Sequence, residues 1–102
     1  MSLFWNFCVG VLLFNAIPHL AAGLQGASFQ TPFARPRGIG ESSALINMLW
    51  GSANLLAGLL LCANFPITIG FNPKFAMAAA GALILGTYLA LHFAKVRHAD
   101  CD

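Results

Sequence analysis

Charged side chains are scarce in this chain of 102 residues, of which only 8% are Asp, Glu, Lys or Arg. The stretches 1–34, 42–73 and 75–94 contain none of them. Soluble domains carry about 25% charged residues, so this chain cannot cover a water-exposed surface of its own. The net charge of +2 provides no basic face for nucleic acid, and an apolar content of 59% excludes a disordered chain or a secreted disulfide scaffold.

Three apolar runs are long enough to cross a bilayer, since about 20 helical residues span a hydrocarbon core of about 30 Å. We expect helix one over about 3–24, helix two over about 43–63 and helix three over about 73–95. The runs are continuous, whereas the strands of a membrane barrel would alternate apolar and polar residues. The predicted fold class is therefore all-α, an integral membrane bundle of three transmembrane helices in the single domain 1–102.

Local signals support these helix ends. Ser42 or Ser43 is a candidate N-cap for helix two, and Asn72 precedes Pro73 at the start of helix three. The run Ala21-Ala22-Gly23 resembles a signal-peptide cleavage site, but no Lys or Arg precedes the apolar run as in a signal peptide. A retained helix is the favoured interpretation of helix one.

Cationic residues predict the orientation, because Lys and Arg near helix ends are kept on the cytoplasmic side. Four of the five lie after helix one or helix three: Arg35, Arg37, Lys95 and Arg97. Lys74 alone lies between helices two and three. We therefore expect the N-terminus outside, with the inner loop 25–42 and the inner tail 96–102 in the cytoplasm and the turn 64–72 outside.

The inner loop combines aromatic and cationic residues. Phe29 and Phe33 accompany Arg35 and Arg37, a mixture that suits the lipid headgroup layer, where Arg meets phosphate. We expect an interfacial loop with both arginines at lipid headgroups. An alternative, favoured by its length, is a lid or docking strand over a cavity on the inner side.

Polar residues inside the apolar runs should face protein or water, since an unpaired amide or imidazole in lipid costs several kcal/mol. Helical spacing places Asn15 and His19 on one face of helix one, and Asn47 and Asn54 on one face of helix two. Depth places His19, Asn47 and His92 in one layer near the inner ends. The predicted polar seam consists of Asn15, His19, Asn47, Trp50, Asn54 and His92.

Small residues predict where the helices pack, because close backbone approach holds membrane helices together. Helix two carries Gly51 and Gly58 on its polar face. Helix three carries a small stripe at every fourth position, which includes Ala78, Ala82, Gly86 and Ala90. His92 and Tyr88 lie on another side of helix three. The two faces suggest one contact within the monomer and one with a partner.

Cofactor chemistry has weak support in the sequence. His19 and His92 lie at matching depth and would be the axial ligands if the chain bound a b-type haem. Cys8, Cys62 and Met77 share the outer layer, where Cu(I) binding or a Cys8–Cys62 disulfide are minor alternatives. We expect neither a metal site nor a catalytic site, since Glu41 is the sole carboxylate before Asp100 and no acid–base pair is formed.

The leading expectation is a non-catalytic membrane protein that acts as a homo-oligomer or as an accessory subunit of a larger membrane complex, with the lipid bilayer as its other partner. The alternative is a homo-oligomeric channel or transporter that passes a small neutral polar solute along the polar seam. A haem-binding membrane subunit is a minor alternative. These three hypotheses share one chain topology and differ in the role of the polar seam.

In architecture the chain resembles the three-helix SemiSWEET sugar transporters, which work as dimers. Pro18 is followed by a polar residue in helix one, and Trp50 lies in helix two. His19 stands where that family has Gln, and helix three lacks the family's Asn. The resemblance implies that a second copy would be needed to enclose a path.

Overall fold

The computed structural model describes residues 2–101, with side chains described for residues 2–98. The helices are α1 (Ser2–Leu24), α2 (Ala44–Asn64) and α3 (Pro73–Cys101), and two short strands, β1 (Phe29–Gln30) and β2 (Glu41–Ser42), lie between α1 and α2. Three helical segments are long and apolar enough to cross a membrane: Ser2–Leu24, Ala44–Asn64 and Pro73–His98. The prediction of three long apolar helices is thus confirmed.

The helix boundaries follow from local chemistry. The hydroxyl of Ser43 accepts a hydrogen bond from the Ile46 amide at 3.3 Å and caps α2. The side-chain oxygen of Asn72 accepts from the Phe75 amide at 2.9 Å and caps α3 in the same way. At the end of α1, Gly26 adopts the left-handed conformation with φ of 75°. This conformation lets the chain turn away from the helix at little steric cost.

α3 is longer than the sequence predicts, since it continues past residue 95 as far as Cys101. The segment 96–101 contains no Gly or Pro to stop the helix. Within this segment Val96 is buried, and Arg97 and His98 are exposed. The predicted inner tail is therefore helical over the part that the structure describes.

α1 is the central helix, and α2 and α3 both pack against it while making almost no contact with each other. Glycines bring the backbones close. A methyl group on Gly10 of α1 would collide with the carbonyl of Ala78, and one on Gly81 of α3 with the carbonyl of Phe7. A substituent here would clash with backbone, which cannot easily move, so the α1–α3 crossing requires glycine.

The predicted small residues lie largely against α1. Methyl groups on Gly51 and Gly58 of α2 would lie 2.8 Å from side-chain carbons of Leu20 and Leu13. In α3, the predicted stripe follows the same face: Ala78 and Ala82 border Gly10, Gly86 faces Phe14, and Ala90 is exposed. The stripe thus serves contacts within the chain.

The segment between α1 and α2 folds back onto the helices. β1 and β2 pair antiparallel, with Phe29 opposite Ser42 and Gln30 opposite Glu41. Phe29, Gln30 and Thr31 are buried, whereas Phe33 at the tip is 63% exposed. The strand pair therefore covers the ends of α1 and α2. We call this end of the bundle the loop end, and the opposite end, at residues 65–72, the turn end.

Candidate functional site: a polar cavity at the loop end

The side-chain amide of Asn47, in the first turn of α2, joins α2 to the loop. The side chain is fully buried. Its nitrogen lies 3.1 Å from the carbonyl oxygens of Phe29 and Ser42 and 3.0 Å from that of Ser43. Because carbonyl oxygens only accept hydrogen bonds, these contacts fix which end of the amide is nitrogen. The amide oxygen therefore points towards α1.

His19 of α1 meets this oxygen, with its Nδ1 at 2.9 Å from Asn47 Oδ1. Since the amide oxygen accepts, Nδ1 carries the proton, and in the neutral ring Nε2 is left as an acceptor. The imidazole is 3% exposed and lies edge-on to the rings of Phe29 and Trp50. Nδ1 thus donates to Asn47, and Nε2 carries the lone pair of the neutral ring.

A second amide pair joins α1 to α2 deeper in the bundle. Asn15 donates from its side-chain nitrogen to Asn54 Oδ1 at 3.0 Å, and Asn54 donates to the Trp50 carbonyl at 2.9 Å. Asn54 is 5% exposed. The two asparagines satisfy each other across the helix contact, as polar residues do between membrane helices.

A cavity of about 280 Å³ lies beside these residues, between α1, α3 and the loop. Four predicted seam residues line it, namely Asn15, His19, Trp50 and His92. The other two do not line the cavity themselves. Asn47 is hydrogen-bonded to His19, and Asn54 is hydrogen-bonded to Asn15. The structure thus brings the whole predicted seam to one place.

His92 closes the cavity from the side of α3. Its Nε2 lies 2.7 Å from the carbonyl oxygen of Gly38 and therefore donates to it, and its ring stacks on Tyr88. The sequence predicted that this face of α3 contacts a partner. In the structure, the loop occupies part of it through the bond between His92 and Gly38. An axial haem ligand must offer a nitrogen lone pair to the iron. Haem ligation by His19 and His92 stays a prediction, and it would require the Gly38 bond to break.

The two loop arginines differ in position. Both are exposed and line a groove on the loop with Pro32 and Phe33, and Arg37 also lines the polar cavity. An exposed guanidinium beside aromatic rings is compatible with lipid phosphate. Contact of either arginine with headgroups stays a prediction.

At the turn end the chemistry is mainly apolar. Cys8 and Cys62 are free thiols in the structure, and Cys62 lines a cleft of about 560 Å³ whose other walls are α1, α3 and the turn. Over the side chains described, no three His, Cys, Asp or Glu residues cluster as metal ligands would. Copper binding by Cys8, Cys62 and Met77 stays a prediction.

Three buried polar residues lie outside the predicted seam. Gln30 and Thr31 are 3% and 2% exposed and line the polar cavity. Asn6, which is fully buried, donates to the Phe65 carbonyl at 2.9 Å and ties α1 to the end of α2. Asn6 could have been found as an amide within an apolar helix. The loop residues could not, because a loop has no helical period to show which side chains turn inward.

No family model, curated protein or solved structure matches this chain. The contacts at the loop end and the arrangement of the helices are therefore the basis for a functional proposal. They consist of a polar cavity, its supporting amides and two outer helices joined through α1.

Replacing Asn47 with Leu tests whether this amide holds the loop. Leu fills a similar volume but leaves the Phe29 carbonyl and the His19 Nδ1–H without their partner. A buried polar group left unpaired costs about 1–3 kcal/mol, so we expect the free energy of unfolding to fall by at least about 2 kcal/mol. We also expect faster amide hydrogen exchange over residues 29–42.

The matched control is Asn64→Leu, because the Asn64 amide is exposed and bonds only to its own helix at Leu60. It should leave both measurements nearly unchanged. Equal effects of the two substitutions, or loop exchange that does not respond to Asn47→Leu, would contradict the assignment.

Proposed function

We propose that the chain is a multi-pass integral membrane protein with its loop end in the cytoplasm and its N-terminus outside. The three apolar helices support the membrane location. The cations support the orientation, since Arg35 and Arg37 lie in the loop, and Lys95 and Arg97 lie at the same end of the bundle. Lys74 alone lies at the turn end. Exposed Phe33 and Arg35 would then lie at the inner headgroup layer.

A reporter that is active only in the cytoplasm, fused to the C-terminus, tests this orientation. We expect activity in intact cells, because Lys and Arg are retained on that side. The same reporter fused before Met1 should be silent. The reverse pattern would place the loop end outside and reject the proposed orientation.

The proposed role is non-catalytic, as one part of a larger assembly of transmembrane helices. The observation that carries it is an open cleft at the turn end, lined by α1, α3 and the turn, with Cys62 from α2. This cleft is lined by apolar and small residues such as Leu13, Ala79 and Leu83. Close packing is what stabilises helix contacts in lipid, so a helix of a second copy or of another subunit would fit there.

The residues available for catalysis support the same view. Glu41, the sole carboxylate before Asp100, accepts a hydrogen bond from Ser28 at 2.7 Å on the outside of the loop. It is exposed and is not among the residues that line the polar cavity. A general acid and base would have to lie within hydrogen-bond reach of one substrate. The side chains at the cavity include the imidazoles of His19 and His92 and the guanidinium of Arg37, and no carboxylate lines it to pair with an imidazole.

Native mass spectrometry of protein extracted in mild detergent tests the assembly. We expect the wild-type chain to appear as an oligomer or with another subunit. Leu83→Trp fills part of the cleft and should shift the population towards the single chain. Leu91→Trp is the control, since Leu91 is similarly exposed on α3 but does not line the cleft. A wild-type protein that is stable as a lone monomer would refute the assembly.

A second candidate function is passage of a small neutral polar solute by a homo-oligomer. The specific observation in its favour is that Asn15, His19, Trp50 and His92 line one cavity at the loop end. Amides and imidazole offer donors and acceptors to a neutral solute, and the charge of Arg37 at the same cavity is exposed to solvent. Three helices cannot enclose a path alone, so this function also requires a second copy.

Flux of urea and glycerol into proteoliposomes tests passage. Asn54→Leu should reduce the flux, because it removes the hydrogen bond that holds Asn15 at the cavity, and Asn64→Leu should not. The free energy of unfolding separates the two roles, because an amide that only joins helices contributes about 0.6–2 kcal/mol. Loss of stability with unchanged flux would remove the seam from any transport mechanism.

A further inference from the structure

A groove of about 380 Å³ lies between α1 and α3, on the half of the bundle towards the loop end. Arg97 is the one charged residue that lines it. The other lining residues are apolar or glycine and come from α1, α3 and β1. The groove thus combines an apolar lining with a single guanidinium. We call it the lipid-facing groove.

The lining residues of α3 show how the lipid-facing groove is oriented. Gly86, Ala90, Phe93 and Arg97 follow one another at steps of three or four residues, which places them on one face of the helix. At 1.5 Å per residue, the backbone from Gly86 to Arg97 extends about 16 Å. One leaflet contributes about 15 Å to a hydrocarbon core of about 30 Å. Arg97 lies at the end of the apolar span Pro73–His98, so the groove extends from the membrane surface to near the midplane.

Aromatic rings and a glycine shape the apolar part of the groove. Phe29 of β1 lies edge-on to Phe93, with ring centroids 4.7 Å apart. A methyl group on Gly86 would lie 3.1 Å from the ring of Phe14. Phe14 and Ile17 of α1 are exposed on the protein surface. The lining is therefore open to the surroundings of the helices, which in a membrane are acyl chains.

We propose that the lipid-facing groove binds one anionic phospholipid, with its phosphate at Arg97 and one acyl chain along the apolar lining. The proposal rests on the membrane location proposed above. Arg97 is exposed, so a headgroup at the membrane surface can reach it. A guanidinium binds phosphate through two parallel N–H···O bonds. The acyl chain gains many close contacts with the apolar residues.

The charge of Arg97 favours a phospholipid over a transmembrane helix as the occupant. An apolar helix in the groove would cover the guanidinium without supplying an anion, and a buried unpaired charge is costly. Glu41 is the one carboxylate among the side chains that the structure describes. It accepts a hydrogen bond from Ser28 and does not line the groove. A phospholipid supplies both the anion and the apolar chain.

Net charge favours an anionic headgroup over a zwitterionic one. Arg35, Arg37, Lys95 and Arg97 all lie at the loop end. Cations near a membrane surface attract anionic lipids. Phosphatidylcholine carries an ammonium group beside its phosphate, and the four cations repel that group. Phosphatidylglycerol has the phosphate without the ammonium.

Native mass spectrometry of the full chain, released from nanodiscs of phosphatidylglycerol and phosphatidylcholine in equal amounts, tests the site. We expect one phosphatidylglycerol per wild-type chain, retained in preference to phosphatidylcholine. Arg97→Gln should lower this retention at least about five-fold, since a charge-assisted hydrogen bond at a partly solvated site is lost. Lys95→Gln is the matched control, because Lys95 is exposed and carries the same charge but does not line the groove. It should leave retention nearly unchanged.

A second pair of variants tests the apolar part. Ala90 is exposed and lines the groove, so Ala90→Trp should fill it and lower the retention of phosphatidylglycerol. Ala76→Trp is the control, since Ala76 is also exposed on α3 but lines neither the groove nor the cleft at the turn end. Both substitutions are at exposed positions, so the contacts between the helices stay intact.

Three results would each overturn the site: equal retention of the two lipids by the wild-type chain, equal losses in Arg97→Gln and Lys95→Gln, or wild-type retention in Ala90→Trp. A bound lipid and an added protein copy change the mass differently, so the spectra score the lipid and the assembly separately. The membrane location has its own test in an alkaline carbonate wash. A chain that stays in washed membranes but retains no lipid would reject the groove site alone.

Discussion

The side-chain amide of Asn47 is the contact on which the loop end depends. One buried group joins the first turn of α2 to both strands of the loop and to His19 of α1. The pairing of β1 and β2 involves only two residues from each strand, and short strand pairs have little stability of their own. The amide supplies the missing constraint, because its hydrogen bonds would be expensive to lose in an apolar bundle.

The central position of α1 determines where a polar cavity can form. α3 approaches α1 backbone to backbone at Gly10 and Gly81, whereas Gly51 and Gly58 of α2 leave room for the side chains of Leu20 and Leu13 of α1. Because α2 and α3 barely meet, space remains beside α1 at both ends of the bundle. The loop covers it at one end, where His92 bonds to Gly38. At the other end an apolar cleft remains open.

Much of the helical framework was predictable because it follows from local rules. The absence of charge identified the three apolar segments, and Ser43 and Asn72 marked the starts of α2 and α3. Helical periodicity also placed Asn15 with His19 and Asn47 with Asn54. It could not assign their partners, since the pairing of His19 with Asn47 depends on the relative position of α1 and α2.

The conformation of the loop between α1 and α2 could not be predicted from the sequence. Its aromatic and cationic residues predicted a loop at the membrane surface, and for the exposed tip at Phe33 this stays a prediction. The burial of Gln30 and Thr31 depends on strand pairing between residues that are eleven or more positions apart. Composition contains no information on such pairing. The hydrogen bond from His92 to the Gly38 carbonyl joins residues that are far apart in sequence, and it was not predicted for the same reason.

The protonation of His19 tests the central claim most directly, and ¹⁵N NMR of histidine-labelled protein in nanodiscs measures it. The His92→Gln and His98→Gln variants assign the signals. The Asn47 contact predicts a neutral His19 with the proton on Nδ1 and a bare Nε2, and Asn47→Leu should abolish this preference. A wild-type His19 that carries its proton on Nε2 alone would contradict the hydrogen bonds by which Asn47 joins α1, α2 and the loop.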